Sequence, residues 1–200
     1  MITVVGIGPG TFMHMTPEAQ HCIAMADILV GGARHLALFP DFHGTTRKLD
    51  ADLAGLVSWL AGQCQQNVVV LASGDPLLFG IGKLLSAHFG SEWLRIIPGI
   101  SAIQYLCARL ALDMNDIYLT SSHGREPDFD WILQHDKVGM VTDGRIGPRA
   151  IADAILQRQL TRTLIIGENL SLPNERFYRL QPDNVAQHYD MNVVVILNER

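Results

Sequence analysis

A chain of 200 residues holds one large α/β domain or two small ones, and with 48% hydrophobic and 18% charged residues it is not a disordered chain. The formal net charge of −5 excludes a global nucleic-acid signature, so an anionic ligand would need a local basic pocket. Residues 53–74 contain no Asp, Glu, Lys or Arg, but Gly55, Gly62, Gln63, Gln65, Gln66 and Asn67 divide that stretch into an amphipathic helix and a buried strand rather than a membrane span. The N-terminus has no basic region ahead of its apolar stretch, so no signal peptide is expected. Cys22, Cys64 and Cys107 are widely spaced in helical patterns. They read as buried, reduced thiols of a cytoplasmic protein, and no pair has metal-ligand spacing.

In chain order, the first half alternates strand and helix. Strands are expected at 2–6, 27–31, 67–72 and 94–97, and helices at 16–25, 50–63, 80–88 and 101–110. Such alternation predicts a parallel sheet with helices on both faces. The pattern changes near Leu112-Asp113-Met114-Asn115-Asp116. After it come strands at 117–120 and 138–142, a helix at 148–158, and strands at 162–167, 176–180 and 193–197. Few long helices separate these later strands, which predicts an α+β or mixed sheet. The expected division is 1–112 and 113–200, two small α/β domains with no Ser/Pro/Gly linker and a cleft between them.

Three strand ends in the first half run into glycine loops. Val4-Val5-Gly6-Ile7-Gly8-Pro9-Gly10 nearly matches a dinucleotide fingerprint, but no helix can begin before Thr16-Pro17-Glu18. No helix N-terminus then meets the glycines, so the loop suits close backbone approach to a ligand without a diphosphate. The second loop is Ala72-Ser73-Gly74-Asp75-Pro76-Leu77-Leu78-Phe79-Gly80, and the third is Pro98-Gly99-Ile100-Ser101-Ala102. GxGPG, SGDPxxFG and PGxSA in this order resemble the tetrapyrrole (corrin/porphyrin) methylases, class III S-adenosylmethionine-dependent methyltransferases, over essentially the whole chain. Each motif alone is weak; the ordered set is specific.

That resemblance implies a two-domain α/β fold with cofactor and macrocycle in the interdomain trough, and a homodimer. It implies S-adenosylmethionine contacts at Gly8, Pro9, Gly10, Gly74, Asp75, Leu78, Phe79, Ser101, Ala102, Met140 and Gly167. Asp75 is read as shaping a loop whose backbone contacts the cofactor, against the alternative of a turn-forming residue alone, and Ser101 reads equally as a helix cap. In the second half, three further strand ends carry polar groups: Thr120-Ser121-Ser122-His123-Gly124-Arg125, Val141-Thr142-Asp143-Gly144-Arg145 and Gly167-Glu168-Asn169-Leu170-Ser171-Leu172-Pro173-Asn174-Glu175-Arg176. Ligands in α/β folds sit beyond the carboxyl ends of strands, so these segments form one pocket wall. The His-Gly-Arg turn and the last segment resemble the family members that methylate C5 of a corrin precursor. Fused relatives carry a C15-methylating and decarboxylating domain, and here a separate protein is expected to do that step.

Ser122, Arg125, Arg145, Glu168 and Asn169 are therefore candidate substrate contacts, because the macrocycle carries acetate and propionate side chains and Arg binds carboxylates as a fork. His123 reads as a packed loop histidine, a substrate hydrogen-bonder or a base. The other histidines and Arg34, Arg47, Lys48, Arg149, Arg158 and Arg162 read as surface groups, and no metal site is expected. Methyl transfer from a sulfonium to an enamine-like carbon is mainly a problem of alignment, which fits the absence of a nucleophile–base pair. The alternatives are another tetrapyrrole position, an RNA ribose or a modified histidine as methyl acceptor, a nicotinamide-dependent oxidoreductase, and a catalytically silent partner of a cobalamin-synthesis complex.

Overall fold

Val68-Val69-Val70-Leu71 has no polar face, so a strand made from it must be covered on both sides. The computed structural model, which describes residues 1–63, 65–124 and 126–199, shows this arrangement. Cys64 and Arg125 lie outside the described residues. The chain divides into two compact units, Met1–Ser101 and Ala102–Arg200.

In the first unit, β1 (Ile2–Gly6), β2 (Ile28–Gly31), β3 (Thr45–Lys48), β4 (Val68–Ala72) and β5 (Leu94–Ile97) form one sheet in the order β3-β2-β4-β1-β5. Every pairing in it is parallel. Alternate residues of the central strands bury opposite faces. Val4, Val30, Val68 and Val70 pack against Leu56 and Leu60 of α3 (Leu53–Ala61) and Leu85 of α4 (Gly82–Trp93). Val5, Leu29, Val69 and Leu71 pack against Ala19 and Ile23 of α1 (Pro17–Ala24). α1 starts where the sequence indicates: Thr16 caps it, its Oγ1 accepting from the Ala19 amide at 3.1 Å, with Pro17 in the first turn. Two elements escaped the sequence reading. The four-residue α2 (Ala33–Leu36) is shorter than any useful periodicity. β3 is an exposed edge strand, Thr-Thr-Arg-Lys, whose polarity hides it and also guards the sheet edge.

The second unit carries a mixed sheet, as expected. β6 (Tyr118–Ser121), β7 (Lys137–Val141), β8 (Thr163–Glu168), β9 (Arg176–Leu180) and β10 (Asn192–Leu197) are ordered β6-β7-β10-β8-β9. Only the β6–β7 pairing is parallel. α7 (Pro148–Gln157) buries Ile151, Ala152 and Ile155 on one face of this sheet, joined by Ile132 of the short α6 (Phe129–Ile132). The other face is covered by Ile103, Leu106 and Cys107 of α5 (Ala102–Arg109). The two units therefore divide at Ser101/Ala102, ahead of the boundary read from sequence at 112/113. The glycine-rich strand pattern ends near 113, but the helix before it buries its apolar stripe on the following sheet. α5 goes with the sheet it covers.

Among the described residues no helix is long and apolar enough to cross a membrane, and no group of three His, Cys, Asp or Glu side chains is placed to hold a metal. Cys107 is buried, and desolvation pushes its thiol above the ordinary range, as befits a packed side chain.

His35, in α2, is partly buried beside Arg34, and desolvation first and the neighbouring charge second push its pKa down from 6.5 to about 4. The folded state thus holds a neutral imidazole that the unfolded chain would protonate. The corresponding stability is fully present above pH 6.5 and is lost as pH falls toward about 4. Wild-type chemical denaturation should therefore show a falling unfolding free energy across that window, with a shallower fall in His35→Leu. Identical pH profiles for the two proteins would remove His35 from the account.

Candidate functional site

Two groups of strand ends build candidate sites, one in each unit. In the first, β4, β1 and β5 are neighbours, so their three carboxyl-terminal loops leave the sheet side by side. The helix after β1 packs on one face of the sheet and the helix after β4 on the other. Adjacent strands whose connections part in this way open a crevice beyond the sheet edge.

The loops meet backbone to backbone. The Ile7 amide donates to the Ala72 carbonyl at 3.0 Å, the Gly8 amide to the Gly74 carbonyl at 3.3 Å, and the Gly74 amide back to Gly8 at 2.9 Å. Gly8 and Gly74 both adopt positive φ, +74° and +62°, where a Cβ costs energy. Space is equally short at Gly99, where a Cβ would lie 2.2 Å from the Gly74 carbonyl oxygen and 2.8 Å from Gly6. Asp75 ties the second loop to the third: Oδ1 accepts from the Leu77 amide at 2.8 Å and Oδ2 from the Gly99 amide at 3.2 Å. These bonds make Asp75 a residue that shapes its own loop and joins it to the next.

Pro9 is buried, Gly10 and Leu78 are half-buried, and Phe79 is exposed at a positive φ of 57°. Leu77, Phe79 and Ile100 leave apolar surface exposed on the same loops. Ser101 is buried at the end of the first unit, and Ala102 opens α5 in the second. No helix begins at the glycines, since a 3-10 turn at Phe12–His14 intervenes before α1. The loops thus offer main-chain groups and apolar side chains without a helix dipole, which suits an adenosine and a sulfonium better than a pyrophosphate.

The second group lies wholly in the other unit, where the ends of β6 and β7 and the start of β10 border a cavity of about 560 Å³. His123, Thr142, Asp143, Arg145, Arg149 and His188 are among its walls. Ser122 is fully buried and donates to the Ile146 carbonyl at 2.8 Å, so it locks the β6 end to the next loop rather than facing a ligand. Asp143 is the organiser of that loop. It accepts from the backbone amides of Ile146 at 2.8 Å, Arg145 at 3.0 Å and Gly124 at 3.3 Å. Those bonds, Ile146 foremost, with the nearby His123, hold its carboxyl below the usual range.

Arg145 is exposed and pairs with exposed Glu126 at 3.1 Å, an attachment weak enough to exchange for a ligand carboxylate. Arg125 lies outside the described residues. Glu168 and Asn169 are each only 7% exposed and are bonded inward, to Asp190, Met191 and Tyr178. They border a second cavity of about 220 Å³, but their side chains already have partners.

Met140 and Gly167 do not fall at either group. The Met140 side chain is 0% exposed in the core against α7. A Cβ on Gly167 would lie 2.8 Å from Leu170 and 2.9 Å from Leu106, so close packing under α5 explains that glycine.

Several surface arginines of the sequence reading are instead built in. Arg149 donates to the Val185 carbonyl at 3.1 Å and pairs with Asp153. Arg162 reaches the carbonyls of Leu133 and Thr161, each at 2.8 Å. The segment Gln187-His188-Tyr189-Asp190-Met191-Asn192 went unread in the sequence although all six residues line the larger cavity. A mostly polar run, interrupted by Tyr189 and Met191, looks like an ordinary loop, and its place next to the last strand was the available signal.

Comparisons with known proteins bear on the family and the fold. The family model of the tetrapyrrole (corrin/porphyrin) methylases matches residues 1–185. The chain is 54% identical over 201 residues to the cobalt-precorrin-7 C(5)-methyltransferase of Salmonella typhimurium, covering 100% of both. Its fold is similar to that of the precorrin-6Y methylase of Archaeoglobus fulgidus, with a TM-score of 0.79 at 22% identity over 100% of this chain and 99% of that one. It is also similar to the uroporphyrin-III C-methyltransferase of Thermus thermophilus complexed with S-adenosylhomocysteine, with a TM-score of 0.77 at 20% identity over 98% and 96% of the two chains.

The Asp75 bridge has a direct test. Asp75→Ala leaves the Leu77 and Gly99 amides without their acceptor and should lower the unfolding free energy by roughly 1–3 kcal/mol, with Asp75→Asn in between. Urea denaturation measures it. Equal stability for Asp75→Ala and wild type would show that the loops meet without this carboxylate.

Proposed function

Since the chain belongs to the tetrapyrrole (corrin/porphyrin) methylase family, we propose that it transfers a methyl group from S-adenosylmethionine to C5 of cobalt-precorrin-7, a corrin precursor of cobalamin. The observation that carries this reading is the 54% identity, end to end, with a relative of that activity. The S-adenosylhomocysteine held by the Thermus thermophilus relative supports the methyl donor. The loops at Gly8–Gly10, Gly74–Phe79 and Gly99–Ser101 hold the cofactor, and the larger cavity of the second unit takes part of the macrocycle.

Bound S-adenosylmethionine supplies an electrophilic methyl group on a positively charged sulfur. The chain's own work is then to bind, orient and shield. The backbone junction of the three loops fixes carbonyl and amide directions in advance, so little reorganisation accompanies the transfer. Exposed Leu77, Phe79 and Ile100 supply apolar surface that excludes water around the donor. Arg145 holds a peripheral carboxylate of the macrocycle. His123, at the cavity wall, hydrogen-bonds the substrate and is available to take a product proton, although water or a substrate carboxylate serves as well. No nucleophilic side chain is required, and the Cys107 thiol is kept protonated by burial.

An oxidoreductase reading rests on the Gly-x-Gly start alone. It conflicts with the late start of α1 at Pro17 and with Gly31-Gly32 at the end of β2, where a ribose-binding acid would stand.

Calorimetric titration separates the two readings: S-adenosylmethionine should bind the wild-type protein and NAD should not. In Gly74→Val, a branched side chain at positive φ on the shared bridge should abolish cofactor binding while circular dichroism shows a folded protein. Wild-type affinity in folded Gly74→Val would move the cofactor elsewhere.

Stereochemistry tests the single-step transfer. A donor carrying a chiral methyl group should give product of inverted methyl configuration, because one in-line displacement demands it. Net retention would require a methylated side chain in between and would end this mechanism.

A further inference from the structure

Glu168 and Asn169 close the last of the polar strand ends, yet their side chains turn away from solvent. Both Glu168 oxygens are engaged: Oε1 accepts from the Asp190 amide at 2.6 Å and Oε2 from the Tyr178 hydroxyl at 2.9 Å. Asn169, at a positive φ of 51°, donates its amide N–H to the Met191 carbonyl at 2.8 Å and its Nδ2 to Asp190 Oδ2 at 3.0 Å. From the opposite side, Thr142 Oγ1 reaches the Asn192 carbonyl at 2.6 Å and its Oδ1 at 2.8 Å. The Tyr189 ring packs edge-on against Tyr178, centroids 5.3 Å apart. The segment ahead of β10 is thus clamped on two sides, and His188, Tyr189 and Asp190 of it line both cavities. Tyr189 is packed on Tyr178 and Asp190 is bonded to Asn169, so of the three it is His188 whose side chain is left to a ligand.

Arg149 lines the same larger cavity. Its guanidinium is oriented by Asp153 and the Val185 carbonyl, while its Nε is buried with no hydrogen-bond partner among the described residues. A buried unpartnered donor is costly unless a ligand completes it. The acids of this wall are engaged with the protein itself, Asp143 with three backbone amides and Asp190 with Asn169. Charge directed at a ligand therefore comes from the cationic side chains.

We infer that Arg149 and His188 hold a peripheral carboxylate of the macrocycle, and that Glu168 and Asn169 are positioning residues that hold the His188 segment in place for it. This rests on the methylation reading above and assigns residues within it. Arg149 contributes a fixed charge, His188 a hydrogen bond from a segment that would otherwise wander. Glu168 touches no ligand and acts through the Asp190 amide and the Tyr178 hydroxyl, the two groups it accepts from.

The test is steady-state kinetics with cobalt-precorrin-7, together with calorimetric titration of S-adenosylmethionine. Arg149→Met and His188→Ala should each raise the KM for the macrocycle roughly tenfold to a hundredfold, the loss expected for one charged hydrogen bond, with the effect on KM rather than kcat and with cofactor affinity intact. Arg149→Lys should recover part of the loss. Glu168→Ala, which removes both acceptors where a glutamine would keep an oxygen for the Asp190 amide, should reproduce the His188→Ala effect, and the double variant Glu168→Ala/His188→Ala should be no worse than either single one, because both remove one contact. Asn169→Gly keeps the positive φ and deletes the link to Asp190, so it gives the same answer if Glu168→Ala fails to fold. A macrocycle whose carboxylates are amidated should lose affinity for wild type and be indifferent to Arg149→Met. Wild-type KM in Arg149→Met and His188→Ala, with methylation still running, would overturn this inference and leave the methylation reading standing. Failure of the wild-type protein to methylate the corrin precursor would overturn both.

Discussion

The first unit depends on one junction, the backbone contact among Gly6, Gly74 and Gly99 at the ends of β1, β4 and β5. Three loops can converge there only because no side chain stands between them. The Gly8–Gly74 pair then extends hydrogen bonding beyond the sheet edge as an isolated antiparallel bridge on a parallel sheet. Both glycines of the bridge carry positive φ, a backbone conformation that a side chain would strain. Loops held together at the end of buried central strands are the setting in which backbone groups can be aimed at a ligand with little entropic cost.

The second unit solves a related problem with side chains. Its polar strand ends carry few glycines at tight junctions and instead use carboxylates as cross-links: Asp143 gathers the amides of two loops, and Glu168 with Asn169 fixes the segment before β10. A carboxylate that accepts hydrogen bonds from amides gives a loop a defined shape without a regular element. The cavity wall therefore carries acids, Asp143 and Asp190, already engaged by protein donors beside the cationic Arg145 and Arg149. Two means of loop construction thus accompany two expected ligand classes, a cofactor met by main chain and an anionic macrocycle met by cations.

The sequence alone determined much of this. Uninterrupted runs such as Val68-Val69-Val70-Leu71 and the Thr16-Pro17 cap placed strands and a helix start to within a residue or two, because burial on both faces and N-capping are local signals. The change of sheet type near residue 113 and the order of the three glycine motifs were equally legible. Tertiary structure decided what no local pattern encodes. α5 is amphipathic by itself, but only the presence of β7 and β10 beneath it says which sheet it covers, and so where the units divide. Glu168 and Arg149 read as ligand contact and solvated charge because a sequence shows that a residue is polar but not which way it points. Their orientation is set by partners at separations of 22 and 36 positions, the Asp190 amide and the Val185 carbonyl, and long-range hydrogen bonds of that kind exist only once the sheet has brought the segments together.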